Sequence, residues 1–381
     1  MSQTPSDEFT LPPPVDLPPV QPSMAGLAPR PKAGFGGWMA FAWCLLYMVV
    51  MQLLAGLFCG GPLIIGAALL DKADLAAGDP KAMMAGPNAK LAIMLTLICS
   101  HLVGLAFGWF ILRWRVGKTW KRRIAFNRRP AGLHVALIAV GFPAMMALAT
   151  FVDPFVNRAA DEFVKRTGVD IKFSGLEQML EVFKATPLPL ALFAVAVLPA
   201  LNEELWCRGF LGNGLAARYA VWPTVIITSF LFGFLHVEPR QGTAAAILGV
   251  AIHFAYLATR SLWVAVGLHL ANNALAIIRI KEDLNFPVLQ PFEHLVETSP
   301  IPFFCGAVAL FGAVAFALWQ TRSRLTTVDP TAVPWEPKAK SGAEVPPPDS
   351  GVVVTHDPLT PASVALVLMG AVAFAVIVAL G

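Results

Sequence analysis

The chain has 381 residues, of which 56% are hydrophobic and only 14% are charged, and its mean hydropathy is +0.65. Soluble domains usually carry about 25% charged residues, so this deficit excludes an ordinary soluble protein and indicates a surface that faces lipid. The five cysteines show neither a paired metal-binding spacing nor a disulfide framework, which favours small buried apolar side chains.

Residues 1–34 are rich in proline, with three consecutive prolines at Pro12–Pro14. They lack the basic start, apolar core and small-residue cleavage site of a signal peptide. We expect a disordered cytoplasmic tail.

Apolar, charge-poor runs then recur along the chain, most of them close to the roughly 20 residues that cross a bilayer as a helix. Backbone hydrogen bonds must be satisfied inside the segment in lipid, so the sequence predicts an all-α, polytopic transmembrane helical bundle with about nine spans. The runs cover 35–70, 91–112, 131–152, 187–202, 219–237, 241–259, 261–278, 300–320 and 361–381.

Longer connections separate some of these runs. The first transmembrane group is expected over 35–153, and residues 154–186 fit either an amphipathic connection at the interface or an ordinary extramembrane loop. A further transmembrane helix is expected within 281–320. Residues 321–360 are rich in Pro, Lys and Asp and are expected to form a flexible linker to the last span, 361–381.

Eight basic residues and no acid lie between Arg113 and Arg129. A short basic loop between apolar spans is typical of the cytoplasmic side, and we do not expect nucleic acid as a partner. This orientation places the N-terminus inside, 153–186 outside and the C-terminus outside. It also puts Glu203 and His236 at conflicting depths, unless the helix that carries Glu203 continues past Arg208 towards Arg218.

Three charged residues follow an apolar run: Glu203, Glu204 and Arg208. Each would cost about 2.5–3.5 kcal/mol at the centre of a membrane helix, so they must be paired or lie beside water. Glu204 and Arg208 share a helix face and can form an ion pair. Glu203 is rotated by about 100° and can face another target. The alternative is that all three lie at the interface and extend towards water.

Two further spans carry histidines in i,i+4 pairs: Phe232 with His236, and His269 with Asn273. We interpret the other intramembrane histidines, His101, His134 and His253, as packing residues. A carboxylate and two imidazoles suit peptide hydrolysis, because water needs a base to remove its proton. Donors such as His269 and Asn273 could stabilise the oxyanion. This chemistry requires a water-filled cavity.

These motifs together resemble the CPBP family, which groups CAAX-type prenyl proteases with bacteriocin-processing and immunity proteins and is also called the Abi family. The motifs are Glu-Glu-x-x-x-Arg at 203–208, Phe-x-x-x-His at 232–236 and His-x-x-x-Asn at 269–273, within a catalytic core expected over 187–280. The chain departs from many members at Cys207, where an aromatic residue commonly precedes the motif arginine.

The resemblance implies an intramembrane endopeptidase in which Glu203 and His236 activate water and His269 and Asn273 form the oxyanion site. Glu204 and Arg208 complete the motif. The expected substrate is a membrane-associated or CAAX-like protein or peptide, and the expected location is a bacterial plasma membrane, with membrane lipid as a further partner.

The residues leave the cofactor open. We favour no cofactor, because the HExxH signature of common zinc proteases is absent, but Glu203, His236 and His269 could also ligate a divalent metal such as zinc. Two other functions compete with proteolysis: a transporter or proton relay that uses the same buried polar residues, and a non-catalytic immunity-type scaffold.

Overall fold

A computed structural model describes residues 34–72, 86–168, 175–281, 290–327 and 352–380. The predicted tail therefore lies, except for Gly34, outside the described residues. The described chain is a helical bundle with one small sheet. Its helices are α1 Gly37–Leu70, α2 Pro87–Arg115, α3 Trp120–Arg123, α4 Gly132–Thr167, α5 Gly175–Ala185, α6 Leu188–Ala216, α7 Val221–Phe234, α8 Pro239–Thr259, α9 Leu262–Ile280, α10 Gln290–Thr298, α11 Pro300–Gln320 and α12 Pro361–Leu380.

Eight of these helices are long and apolar enough to cross a membrane, and α7 is a shorter apolar helix of 14 residues. Each of the nine predicted runs corresponds to one of these helices. The prediction of a polytopic transmembrane helical bundle is thus confirmed, and the protein is an integral, multi-pass membrane protein.

Helix α4 is longer than its apolar run. The sequence placed the end of the span near residue 153, whereas the helix continues to Thr167 and ends at Gly168, whose φ of +68° is the left-handed conformation favoured at helix ends. Good helix formers such as Ala159, Ala160 and Glu162 continue the backbone hydrogen bonds beyond the apolar part. The connection that follows includes α5, and residues 169–174 lie outside the described part.

Helix α6 carries the acidic motif and is interrupted by two π-helical segments, Phe193–Val197 and Leu205–Gly212. It continues to Ala216, as the depth conflict required. A short turn joins Ala216 to Val221, so both helices begin or end at the same face of the bundle. At 1.5 Å per residue, Glu203 lies about 20 Å before Ala216, and Phe234 lies about 20 Å beyond Val221. The acidic motif and the His236 turn therefore reach similar depths.

The turn between α7 and α8 carries His236. The two helices approach closely at Gly233 and Gly242, where a Cβ on Gly233 would lie 2.3 Å from the Gly242 carbonyl oxygen. Small residues allow such contacts between membrane helices. Glu238 ends the turn by accepting hydrogen bonds from the backbone N–H groups of Arg240 and Gln241 at the start of α8. His236 is thereby held in a tight, capped turn.

One end of the bundle, which we call the basic end, gathers the loop 116–131, the turn at Arg260 and Ser261, and the residues after α11. Trp263 Nε1 donates to the Phe126 carbonyl at 2.7 Å, and the Ser323 N–H donates to the Ala258 carbonyl at 2.7 Å. These contacts fix three connections on the same face. This face is the predicted cytoplasmic side.

The segment expected to be a flexible linker contains strands at both ends. Strands β1 Arg324–Thr327 and β2 Val352–Thr355 pair antiparallel, with Arg324 opposite Thr355 and Thr327 opposite Val352. Val352, Val353 and Val354 are β-branched and suit a strand, which the composition of the whole segment concealed. Residues 328–351 lie outside the described part of the chain.

The orientation can be tested by labelling single cysteines at exposed positions in a variant that lacks the native cysteines. Lys118 is exposed in the basic loop, and Lys165 is exposed near the far end of α4. We expect Lys118→Cys to react with an impermeant maleimide only from the cytoplasmic side and Lys165→Cys only from the opposite side. Trp120 is buried and would be a poor labelling position. The reverse labelling pattern would refute the predicted orientation.

Candidate active site

The side chains of Glu203, His236 and His269 converge from α6, from the turn after α7 and from α9. Oε2 of Glu203 lies 4.0 Å from Nε2 of His236 and 4.0 Å from Nε2 of His269. This oxygen is buried and, in the described part of the chain, has no hydrogen-bond partner. A buried carboxyl oxygen without a partner is costly, so its presence here needs an explanation.

Glu204, the second acid of the motif, forms an ion pair in the interior of the bundle. Glu204 and Arg208 form a fully buried ion pair, with Nη1 of Arg208 donating to Oε1 of Glu204 at 2.8 Å. The spacing of four residues predicted this pair. The same oxygen accepts from Nδ1 of His269, also at 2.8 Å, while Nη2 of Arg208 donates to the Gly249 carbonyl at 3.1 Å. Glu204 therefore links the ion pair to one of the two imidazoles.

Phe232 explains the spacing of the second motif. Its carbonyl oxygen accepts from Nδ1 of His236 at 2.9 Å, one helical turn later. Its ring lies edge to face with both imidazoles, at centroid distances of 5.1 Å to His236 and 5.4 Å to His269. The guanidinium of Arg208 lies 4.4 Å from the centroid of the same ring, in cation–π geometry. Phe232 thus orients both histidines and contacts the buried cation.

These contacts assign the tautomers. A carbonyl and a carboxylate can only accept, so Nδ1 of His236 and Nδ1 of His269 both carry protons. In the neutral ring, Nε2 is then an acceptor directed towards Glu203. With Nδ1 protonated, Nε2 of either ring can donate a hydrogen bond only if it carries a second proton.

Exposure differs across the site. The side chains of Glu203 and His236 are 11% and 15% exposed, whereas His269 is 3% exposed and Glu204 and Arg208 are fully buried. The surrounding helices therefore cover Glu203 and His236 less completely than the other members of the cluster. The ion pair supports the site from behind.

The side-chain amide of Asn273 forms its hydrogen bonds outside the cluster of Glu203, His236 and His269. Its Nδ2 donates to the Val195 carbonyl on α6 at 3.0 Å, and its Oδ1 accepts from Asn272 Nδ2 at 3.0 Å. The amide therefore joins α9 to the first π-helical segment of α6. Its expected part in the oxyanion site stays a prediction.

His101 and Asn202 lie next to the site, although the sequence suggested packing for the histidine and nothing for the amide. Nδ1 of His101 is 3.2 Å from Nδ2 of Asn202, and His101 interacts electrostatically with Glu203, His236 and His269. Gly104 lets Asn202 approach α2, since a Cβ there would lie 2.7 Å from Nδ2. The sequence feature that could have indicated this contact is Gly104, which lies three residues after His101 and on the same helix face.

The other two histidines have packing environments. Nε2 of His134 is hydrogen-bonded to the Thr321 carbonyl at 2.8 Å, which ties α4 to the end of α11. His253 is fully buried and packs edge to face against Tyr256.

Comparison with known proteins supports the same region of the chain. Residues 185–275 match the model of the Rce1-like family, described as type II CAAX prenyl endopeptidase Rce1-like. The predicted resemblance to the CPBP family is confirmed. All six candidate catalytic residues lie within the matched residues.

One curated relative is similar over part of its length. The chain is 25% identical over 111 residues to the "Putative membrane peptidase YdiL" of Bacillus subtilis (strain 168). The match covers 29% of this chain and 45% of that protein, so the chain spans less than half the length of this relative. No solved structure matches the chain.

The buried ion pair should be essential for stability. Replacing Glu204 by alanine leaves the Arg208 cation buried without a partner, which typically costs about 3–5 kcal/mol. We expect Glu204→Ala to lower the free energy of unfolding by that amount in a detergent denaturation experiment. The matched control is Glu162→Ala, since Glu162 pairs with Arg166 at the same i,i+4 spacing but at an exposed site. The control should cost less than about 1 kcal/mol, and equal losses would contradict the interpretation.

Proposed function

We propose that the protein is an intramembrane endopeptidase that hydrolyses a peptide bond in a membrane-associated protein or peptide. One observation carries the proposal: the unpartnered Oε2 of Glu203 faces the Nε2 atoms of two oriented imidazoles at 4.0 Å. That distance is too long for a direct hydrogen bond and fits polar groups bridged by one water, which lie about 4–5 Å apart.

The first step is the activation of water. Glu203 accepts a proton from a water molecule that His236 also holds, and the oxygen adds to the carbonyl carbon of the substrate. The carbonyl π bond becomes an oxyanion. The C–N bond then breaks, and Glu203 returns the proton to the leaving amine.

The second role is stabilisation of the oxyanion. Nδ1 of His269 already donates to Glu204, so Nε2 donates to the oxyanion in the form of the ring that carries a proton on both nitrogens. Arg208 holds Glu204 in place and balances its charge. Asn273 would supply a second donor if its amide left the Val195 carbonyl when substrate binds.

The substrate class follows from the resemblance and from the setting of the site. The match to CAAX prenyl endopeptidases favours a CAAX-like or other membrane-associated substrate. The bacterial relative named as a membrane peptidase favours a bacterial plasma membrane as the location.

A divalent metal suits the donors in kind. With each Nδ1 engaged, the Nε2 atoms of His236 and His269 and the carboxylate of Glu203 could bind zinc, which would polarise the carbonyl and bound water. Ligands of a tetrahedral zinc at 2.0–2.1 Å lie about 3.4 Å apart, so the 4.0 Å separations would need to shrink. In their present positions these side chains do not form a metal site, and no other group of three His, Cys, Asp or Glu residues does so in the described parts of the chain. Our mechanism uses no metal.

Substitution of the proposed base tests the function directly. We expect Glu203→Gln and His236→Ala to lower kcat for a membrane-anchored reporter peptide by at least about 100-fold, because general-base catalysis typically contributes 10²- to 10⁴-fold. The unfolding temperature of Glu203→Gln should change little, since Glu203 Oε2 has no partner to lose among the described residues.

Exposed residues of the same types provide the controls. Glu162→Gln and His294→Ala lie at exposed positions and should keep normal cleavage. Normal cleavage by Glu203→Gln would refute the proposal. Proton transport by the unaltered chain in proteoliposomes, without cleavage of any reporter, would favour the relay function instead.

Metal dependence needs a separate measurement. We expect the purified protein to keep its activity after dialysis against EDTA. We also expect it to contain about 0.1 equivalent of zinc or less by mass spectrometry. Loss of activity that stoichiometric zinc restores would show that Glu203, His236 and His269 act as ligands.

A further inference from the structure

An apolar groove of about 390 Å³ lies between α4 and α9. It extends from Pro130, just before α4, to Phe142, and its helical wall from Gly132 to Phe142 is about 15 Å long at 1.5 Å per residue. Its walls include Val135, Ile138, Phe142, Trp263, Gly267 and Leu268. A groove of this length and lining suits a single hydrocarbon chain.

The mouth of the groove is built by the basic loop. Pro130 lines the groove and directly follows Arg128 and Arg129 in the chain. Ser261 Oγ donates to the Arg128 carbonyl at 2.8 Å, and the indole of Trp263, itself a wall of the groove, donates to the neighbouring Phe126 carbonyl. The backbone that carries Arg128 is therefore fixed at the start of α9, beside the opening.

Three arginines lie on the segments beside this mouth: Arg122 and Arg128 belong to the basic loop, and Arg260 directly precedes Ser261, which holds the Arg128 carbonyl. The pKa of Arg128 is lowered by burial and by the cation of Arg122, and burial together with Arg128 lowers the pKa of Arg260 to about 10. In the described parts of the chain, no carboxylate pairs with Arg122 or Arg128. Arginine guanidinium groups on neighbouring segments are a suitable site for a phosphate group.

Two backbone positions beside this cluster have left-handed conformations. Arg260, which ends α8, has a φ of +48°, and Ala125, three residues before Arg128, has a φ of +55°. Left-handed conformations are common where a helix ends and the chain turns. The Arg260 N–H donates to the Tyr256 carbonyl, and Nε donates to the Ser323 carbonyl at 3.2 Å, so the side chain is fixed towards the basic end.

We propose that one anionic phospholipid binds here, with an acyl chain in the groove between α4 and α9 and its phosphate at Arg128, between Arg122 and Arg260. The polar head lies at the basic end and the chain extends towards the bilayer centre, as in the surrounding leaflet. This site goes beyond the proposed protease function, because binding requires no cleavage.

The full-length protein, purified in a neutral detergent and delipidated, tests the site by its unfolding temperature during lipid titration. The probes are dioleoyl phosphatidylglycerol, dioleoyl phosphatidylcholine and inorganic phosphate. Arg128→Gln removes the phosphate contact, and its matched control is Arg115→Gln, an exposed arginine on the same side. Gly267→Leu fills the groove, and Gly312→Leu is its control, since a Cβ at either glycine meets no atom within 4 Å.

We expect phosphatidylglycerol to bind the unaltered chain at least about fivefold more tightly than phosphatidylcholine, since one arginine near a lipid surface contributes about that factor. Arg128→Gln should lose this preference, or Arg122→Gln should if the first variant does not fold. Gly267→Leu should weaken both lipids, and both controls should bind normally.

Three results would overturn the proposal. One is equal binding of the two phospholipids by the unaltered chain. Another is that a control variant loses as much lipid binding as its test variant. An equal loss in Arg115→Gln and Arg128→Gln would indicate an effect of general surface charge. An equal loss in Gly312→Leu and Gly267→Leu would indicate general lipid contact. The third is full stabilisation by inorganic phosphate alone.

Discussion

A single carboxylate oxygen organises the centre of this bundle. Oε1 of Glu204 accepts from the Arg208 guanidinium and from His269, each at 2.8 Å, with no exposure of either charged side chain. Neither charge could remain in this interior alone, because an unpaired buried ion is strongly unfavourable. The pair therefore requires α6 to stay helical through Arg208 and requires α9 to bring His269 against it. Glu203, one residue earlier, is not part of this pair and faces the other ring nitrogen of His269.

The aromatic ring of Phe232 extends this arrangement to the third helix. Because the ring contacts Arg208 and both imidazoles, a movement of α7 would disturb all three groups together. The close contact of Gly233 with Gly242 holds α7 against α8 at the same level. The proposed catalytic groups are consequently held by packing before any substrate binds, which is the condition for electrostatic stabilisation of a transition state.

The Glu203 site and the basic end lie at different depths along the bundle. The Glu203 site lies at the depth where α7 ends, and the basic end gathers the arginines and the connections after α8 and α11. The proposed lipid groove joins these levels, because it begins at Pro130 and reaches Leu268, the neighbour of His269 in the chain. A bound lipid would therefore contact the helix that carries one of the two site histidines.

The sequence alone determined the membrane class, the helical spans and the local pairs, because hydropathy and helical periodicity depend on neighbouring residues. Glu204 with Arg208 and Phe232 with His236 are four residues apart, so helix geometry was sufficient to predict their contacts. The tertiary structure decided which oxygen faces which imidazole, the position of His101 beside Asn202, and the gathering of Arg128 with Arg260. These residues are distant in the chain, and only the packing of separate helices brings them together.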